Sequence, residues 1–339
     1  MKPRERVFAA LEHREPDRVP RFEVWIDNDD LVAKVGGGDL QRTYINLGLD
    51  CIMIPNQNPP GSNAWGDGVD EWGRVWKNGW YMDGVIETAA DLERYSPPLD
   101  YVDQHFDPVR CGEAMEVYPD SCLVFGSHIA PFTGGYLSMG MERFFYGLLS
   151  RPAFIHKLLE VRTQWCIGMF QKAISLGADV LVLGEDAAHK GGPMISPKMW
   201  REFVLPYHAR IVEQVDVPVI WHSDGDITSL LPMAIEAGFV GVHSLEPAAG
   251  VDLGQLKREF GDDLVLIGNA DPTPLCGSDL DAVREEVRRC MEQGAPGGGY
   301  MFGTCSSIFE GMNLDAVVEM FRYAGEIGFY DDIRSMAQE

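Results

Sequence analysis

Positive charge is what this chain has least of. Against 52 Asp and Glu stand only 28 Lys and Arg, a net charge of −24, and the basic residues never gather into a run. Such a surface repels phosphate backbones and anionic lipid headgroups, which excludes nucleic acid and membranes as partners. Long apolar runs are missing as well, since no window reaches about 18 uninterrupted apolar residues. The opening MKPRERVFAALEH is charged and helix-patterned, without the basic-then-apolar order of an export signal, so a cytoplasmic protein is expected. The seven cysteines are odd in number, scattered and never spaced C-x-x-C, which argues against a disulfide framework or a zinc ribbon.

What is present belongs to a folded protein: 45% hydrophobic and 24% charged residues leave ample material for a core. Eight short apolar, β-branched-rich runs recur: VPRFEVW (19–25), DCIMIPN (50–56), CLVFGSH (122–128), DVLVLGED (179–186), VPVIWHSD (217–224), FVGVHSLEP (239–247), DLVLIGNAD (263–271) and GYMFGTCSS (299–307). Helix-patterned segments lie between the later ones, among them 152–177, 196–215 and 279–294, several opening on Ser or Asp caps and closing on Gly. Continuous apolar strands alternating with helices imply a parallel sheet covered on its outer side. Eight such units close into one (β/α)₈ TIM barrel over residues 1–339, with a doubly wound open sheet as the alternative.

Two segments fall outside the repeat, an N-terminal extension and the stretch 57–121. Within the second, DEWGRVWKNGWYMDG reads as a β-hairpin, because Asn78-Gly79 supplies both positive-φ positions of a type I′ turn. Four of the eight tryptophans fall between Trp65 and Trp80. Either this insertion buries its aromatics as a cap over the barrel mouth, or Trp65, Trp72 and Trp76 line a pocket for a flat, partly apolar substrate.

Barrel enzymes carry their chemistry at the C-terminal strand ends. Those ends here deliver His128, Glu185 and Asp186, His222 and Asp224, Glu246, Asn269 and Asp271, and Cys305. One such residue is ordinarily a cap or a turn former, and Asp226 reads as the cap of the following helix. Six successive strands pointing polar groups at one rim is a stronger pattern. His222 and Asp224 are two apart and share a face if the strand runs through them. With Cys305 and a carboxylate from Glu185 or Glu246 they form a set suited to Zn²⁺. Cys305 read as a small packed residue is the alternative.

The segments PRERVFAALEHREPDRVP, GPMISPKMWREFVLPY, VIWHSDGDI, HSLEPAAGVDLGQLKREFGDDLVLIGNAD and GGGYMFGTCSSI together resemble the uroporphyrinogen decarboxylase superfamily, in order and over nearly the whole chain. The resemblance implies a (β/α)₈ barrel and one of two activities. One branch decarboxylates uroporphyrinogen without a cofactor. The other consists of zinc-dependent methyltransferases that exchange methyl groups between a small molecule and the cobalt of a separate corrinoid protein.

True decarboxylases grip their acidic substrate with an arginine-rich loop of the kind MRQAGRY, whereas this chain reads RFEVWIDNDD there, with Arg14, Arg18 and Arg21 as partial substitutes. Burying substrate carboxylates unpaired costs several kcal/mol each, which places decarboxylation second. In the methyltransferase branch zinc sits on a His-x-Cys pair and a later Cys. By that resemblance His222 and Cys305 match, and Asp224 replaces the first sulfur. A carboxylate makes a harder site, matched to oxygen rather than to thiolate. The expectation is a methyl donor of the O-methyl kind, methoxyaromatics included, demethylated by a partner's cobalt(I). His128, Asp186 or Asp271 would protonate the leaving oxygen, and Asn269 and the aromatic cap would hold the donor. Methylcobamide:thiol methyl transfer and a barrel that only binds are the remaining alternatives.

Overall fold

The computed structural model describes residues 1–59, 66–127 and 130–336. Its centre is a parallel sheet of strands taken in chain order: β1 Cys51–Met53, β2 Cys122–Ser127, β3 Val180–Gly184, β4 Val219–Ser223, β5 Gly241–Ser244, β6 Val265–Ala270 and β7 Tyr300–Thr304. Each pairs with the next and none is skipped. Every residue in these strands is buried, because one face lines the barrel interior and the other lies under helices.

Residues 19–25, expected as a regular strand, close the ring by a looser route. Arg21 bridges Phe302 in parallel, and pairing resumes where Ile26–Asp27 meets Ile308–Phe309. Between these points the Glu23 carboxylate accepts the Thr304 N–H at 3.1 Å, so a side chain replaces a rung of the ladder. On the other edge the Asp50 N–H donates to the Arg21 carbonyl at 2.8 Å, which joins this stave to β1. The barrel is therefore (β/α)₈, with one stave held at points rather than along its length.

Three helices matter for the site: α1 Pro131–Met139, α2 Pro152–Ser175 and α3 Leu280–Gly294. The segment 196–215, expected as one helix, divides at Val204 into Pro197–Phe203 and Leu205–Glu213. Pro206 has no N–H to continue the ladder, so the second helix has to start around it. None of the described helices is long and apolar enough to cross a membrane.

The hairpin forms as the Asn-Gly pair dictates. Arg74–Lys77 and Trp80–Gly84 pair antiparallel around Asn78 at φ 51° and Gly79 at φ 76°. Its hinge is Asp70, 2% exposed. That carboxylate accepts from Trp72 N and Arg74 N at 2.9 Å, Arg74 Nε at 2.6 Å and Trp76 Nε1 at 2.8 Å. Arg162 of α2 fixes the hairpin to the barrel by donating to the Trp72 carbonyl at 3.1 Å and to the Ser138 hydroxyl. Its guanidinium lies 3.9 Å from the Trp72 ring centroid.

Candidate active site

Register sets the floor of the barrel mouth. His222 on β4 stands opposite His243 on β5 and Gly184 on β3, and side chains in register share a face. The two imidazoles meet, Nδ1 to Nδ1, at 2.7 Å, and Trp25 stands edge-on to them at 4.8 and 6.3 Å between ring centroids. Gly126 on β2 makes room for that indole, since a Cβ there would lie 2.9 Å from its ring. Two ring nitrogens at this distance share a single proton. Burial, with His222 alongside, pushes His243 well below the usual histidine range, so it is neutral. When His222 supplies the shared proton, its lone pair lies on Nε2, 3.9 Å from Asp224 Oδ1.

Asp224 follows β4 on a turn whose shape is forced. Gly225 has φ 81°, and a Cβ there would meet the Ala188 backbone at 2.7 Å. Glu246 accepts the Gly225 N–H at 3.0 Å, and Asp186 accepts the Asp224 N–H at 3.3 Å. Asp186, His222 and Asp224 thereby bring ligand atoms within 4.8 Å of one another. Loss of water in this concave rim, with the charges of Asp186 and Glu246, pushes the Asp224 pKa up to about 6, although Ser244 donates to it at 3.1 Å. One imidazole and two crowded carboxylates are a donor set that fits zinc.

The other expected site residues are placed as follows. Cys305 is buried beside the same acids, and burial pushes its thiol up; it is not part of the three-residue group. Glu246 holds the turn rather than joining the group. Glu185 points away from it: its carboxylate accepts from Phe132 N at 3.0 Å, from Thr133 N, and meets His208 Nε2 at 3.0 Å. It caps α1 from another strand because Ala130, at the N-cap, has no side chain to do so. Asn269 is fully buried and braces the rim, donating to the Leu245 carbonyl and accepting from Arg289 of α3 at 2.8 Å. Asp271 accepts from Thr273 N at 2.8 Å within its own turn. His128 and Trp65 lie outside the described residues.

Above this floor opens a cavity of about 800 Å³ lined by Trp25, Trp72, Trp76, Phe125, Asp27, Glu71, His105 and Asp186, among others. Trp72 and Trp76 are thus brought to the site, while Trp80 is 76% exposed. Burial lowers the His105 pKa to about 4, so its ring is neutral. Sequence reasoning passed over Trp25, Glu71, His105 and His243. Only His243 left a usable signal, as the lone polar residue inside the run FVGVH, in register with His222.

Residues 75–327 match the family model for uroporphyrinogen decarboxylase. The chain belongs to that family. Within it, a methylated-thiol–coenzyme M methyltransferase of Methanosarcina mazei is 26% identical over 62% of this chain, and the match spans 55% of that relative's length. A methylcobamide:CoM methyltransferase of Methanosarcina barkeri is 24% identical over 87% of this chain and 91% of its own. Bacterial uroporphyrinogen decarboxylases match over 51% of the chain. A solved structure of a methyltransferase from Methanosarcina mazei shares the fold, with a TM-score of 0.77, 20% identity and coverage of 96% of this chain and 99% of that one.

Proposed function

We propose that this family member is a zinc-dependent methyltransferase that moves the methyl group of an O-methyl donor, methoxyaromatics included, to the cobalt of a corrinoid on a partner protein. The observation that carries the reading is the convergence of Asp186, His222 and Asp224, with Asp186 also lining the aromatic-walled cavity. Two relatives named as methyltransferases support methyl transfer, and one of them is named for methylcobamide.

His222 Nε2 and Asp224 would hold zinc, which when bound supplies a Lewis acid for the oxygen that departs. The cavity orients the donor. Trp25, Trp72 and Trp76, which line it, would hold a flat ring, and the partner's corrinoid cobalt(I) would supply the electron pair that takes the methyl group. The carbon–oxygen pair stays on oxygen, and Asp186 at the cavity wall would relay to it a proton taken from water. The relatives' names favour a second reading, methyl transfer from methylcobamide to a thiol.

The test supplies cobalt(I) cobalamin and a panel of methoxyaromatics and follows methylcobalamin by absorbance. His222→Ala and Asp224→Ala should each lower the rate ~100-fold or more and reduce bound zinc, and Cys305→Ala should cost less than either. Full zinc retention by both of the first two variants would overturn the ligand set. Methylation of a thiol by methylcobalamin, with no methoxyaromatic turnover, would establish the second reading.

A further inference from the structure

Part of the cavity lining outside the His222 group carries unpaired acceptors. Glu71 Oε2 and His105 Nε2 are both buried, and neither has a hydrogen-bond partner among the described residues. They belong to one wall, since Tyr101 packs on the His105 ring at 5.7 Å between centroids and also feels the Glu71 charge. A carboxylate oxygen accepts only, and the neutral His105 ring presents a lone pair at Nε2 when its proton sits on Nδ1.

Its charge inventory points the same way. Asp27, Glu71 and Asp186 line the cavity with Arg74 as the cation, and Asp70 and Arg162 lie beneath the wall, giving four carboxylates against two guanidiniums. Arg74 is already matched by Asp70 at 2.6 Å and lies over the Trp76 ring. Setting Asp186 aside for the reaction leaves Asp27, Asp70 and Glu71 against Arg74 and Arg162, the latter already in the field of Asp70 and Glu71. Tryptophan and phenylalanine rings complete the lining, and ring faces attract cations. The buried Trp72 Nε1, which like Trp165 Nε1 and Arg162 Nε behind it lacks a partner among the described residues, supplies a donor suited to an ether or hydroxyl oxygen.

We propose that this wall is a cation subsite: it takes an ammonium group carried by the methyl donor, with Glu71 as counter-ion, His105 as second acceptor and the tryptophan rings as walls. The subsite rests on reading the cavity as the donor's place and narrows the donor class to methoxylated amines. An ammonium brings several N–H donors to the two waiting acceptors. A carboxylated or sulfonated compound would add repulsion to desolvation.

The experiment is equilibrium binding, by calorimetry and tryptophan fluorescence, of three ligands of matched shape: para-methoxyphenethylammonium, neutral para-propylanisole and anionic para-methoxyhydrocinnamate. The wild-type protein should bind the cation at least about tenfold more tightly than the neutral compound, the gain expected of a charge-assisted hydrogen bond, and the anion most weakly. Glu71→Gln should erase the preference for the cation over the neutral compound. Equal or tighter binding of the neutral or anionic ligand by wild-type protein, or no binding of the cation, would overturn the proposal whether or not the variant folds. No cobalt, zinc or turnover enters this measurement. A failed methyl-transfer assay with the predicted binding order intact would sink the reaction and spare the subsite.

Discussion

At the residue scale the decisive contact is between two histidines. His222 can offer Nε2 to a metal only if the shared proton sits on its own Nδ1, and His243 is the group that accepts it. Replacing His243 by Phe keeps the ring and removes the acceptor. His243→Phe should weaken zinc binding about 10- to 100-fold, measured by competition with a chromogenic chelator; equal affinity would remove His243 from the site. The sequence showed His222 and Asp224 through their spacing, yet it named Glu185 or Glu246 as the further carboxylate, where the structure brings Asp186. Neighbours on a strand point to opposite sides, and the choice depends on which of them the uncapped start of α1 recruits.

At the scale of elements, the hairpin is a unit hinged on one carboxylate. Asp70 satisfies two backbone N–H groups, a guanidinium and an indole from within the protein. Asp70→Ala leaves all four without that acceptor and the Arg74 charge uncompensated, a loss of about 3–5 kcal/mol for a broken buried pair. Near-UV circular dichroism should show the tryptophans loosened, and donor KM should rise while zinc content is retained. An unchanged KM would mean the hairpin does not contact the donor. Asn78-Gly79 announced the turn in the sequence. The anchoring of the hairpin by Arg162, more than 80 residues further on, was silent because a buried arginine inside a helix pattern looks like any solvated one.

At the scale of the whole molecule, barrel closure depends on an acid that carries its proton. Glu23 is fully buried, and burial raises its pKa from 4.5 to about 8 despite the N–H and hydroxyl of Thr304. The Thr304 N–H and hydroxyl both donate to Oε2, at 3.1 and 3.0 Å, and Oε1 has no partner among the described residues. Because the folded pKa is raised, this stabilisation is complete below pH 4.5 and is lost as pH rises through about 8. Glu23→Gln should therefore melt at a temperature that changes less between pH 5 and pH 9 than that of the wild-type protein, the difference building up between pH 5 and about 8. Parallel melting curves across that range would show that Glu23 is not the titrating group.

The sequence by itself determined the repeating strand and helix pattern, the residues at the strand ends, the hairpin turn and the acidic surface. These follow from local periodicity and turn chemistry, which neighbouring residues settle among themselves. Only the tertiary structure decided that Asp186 rather than Glu185 meets His222, and that Asn269 braces the rim. It alone placed His243 behind the site and Glu23 at the seam. Each of those outcomes depends on register between strands distant in the chain, and on which buried polar group finds a partner once water has been excluded.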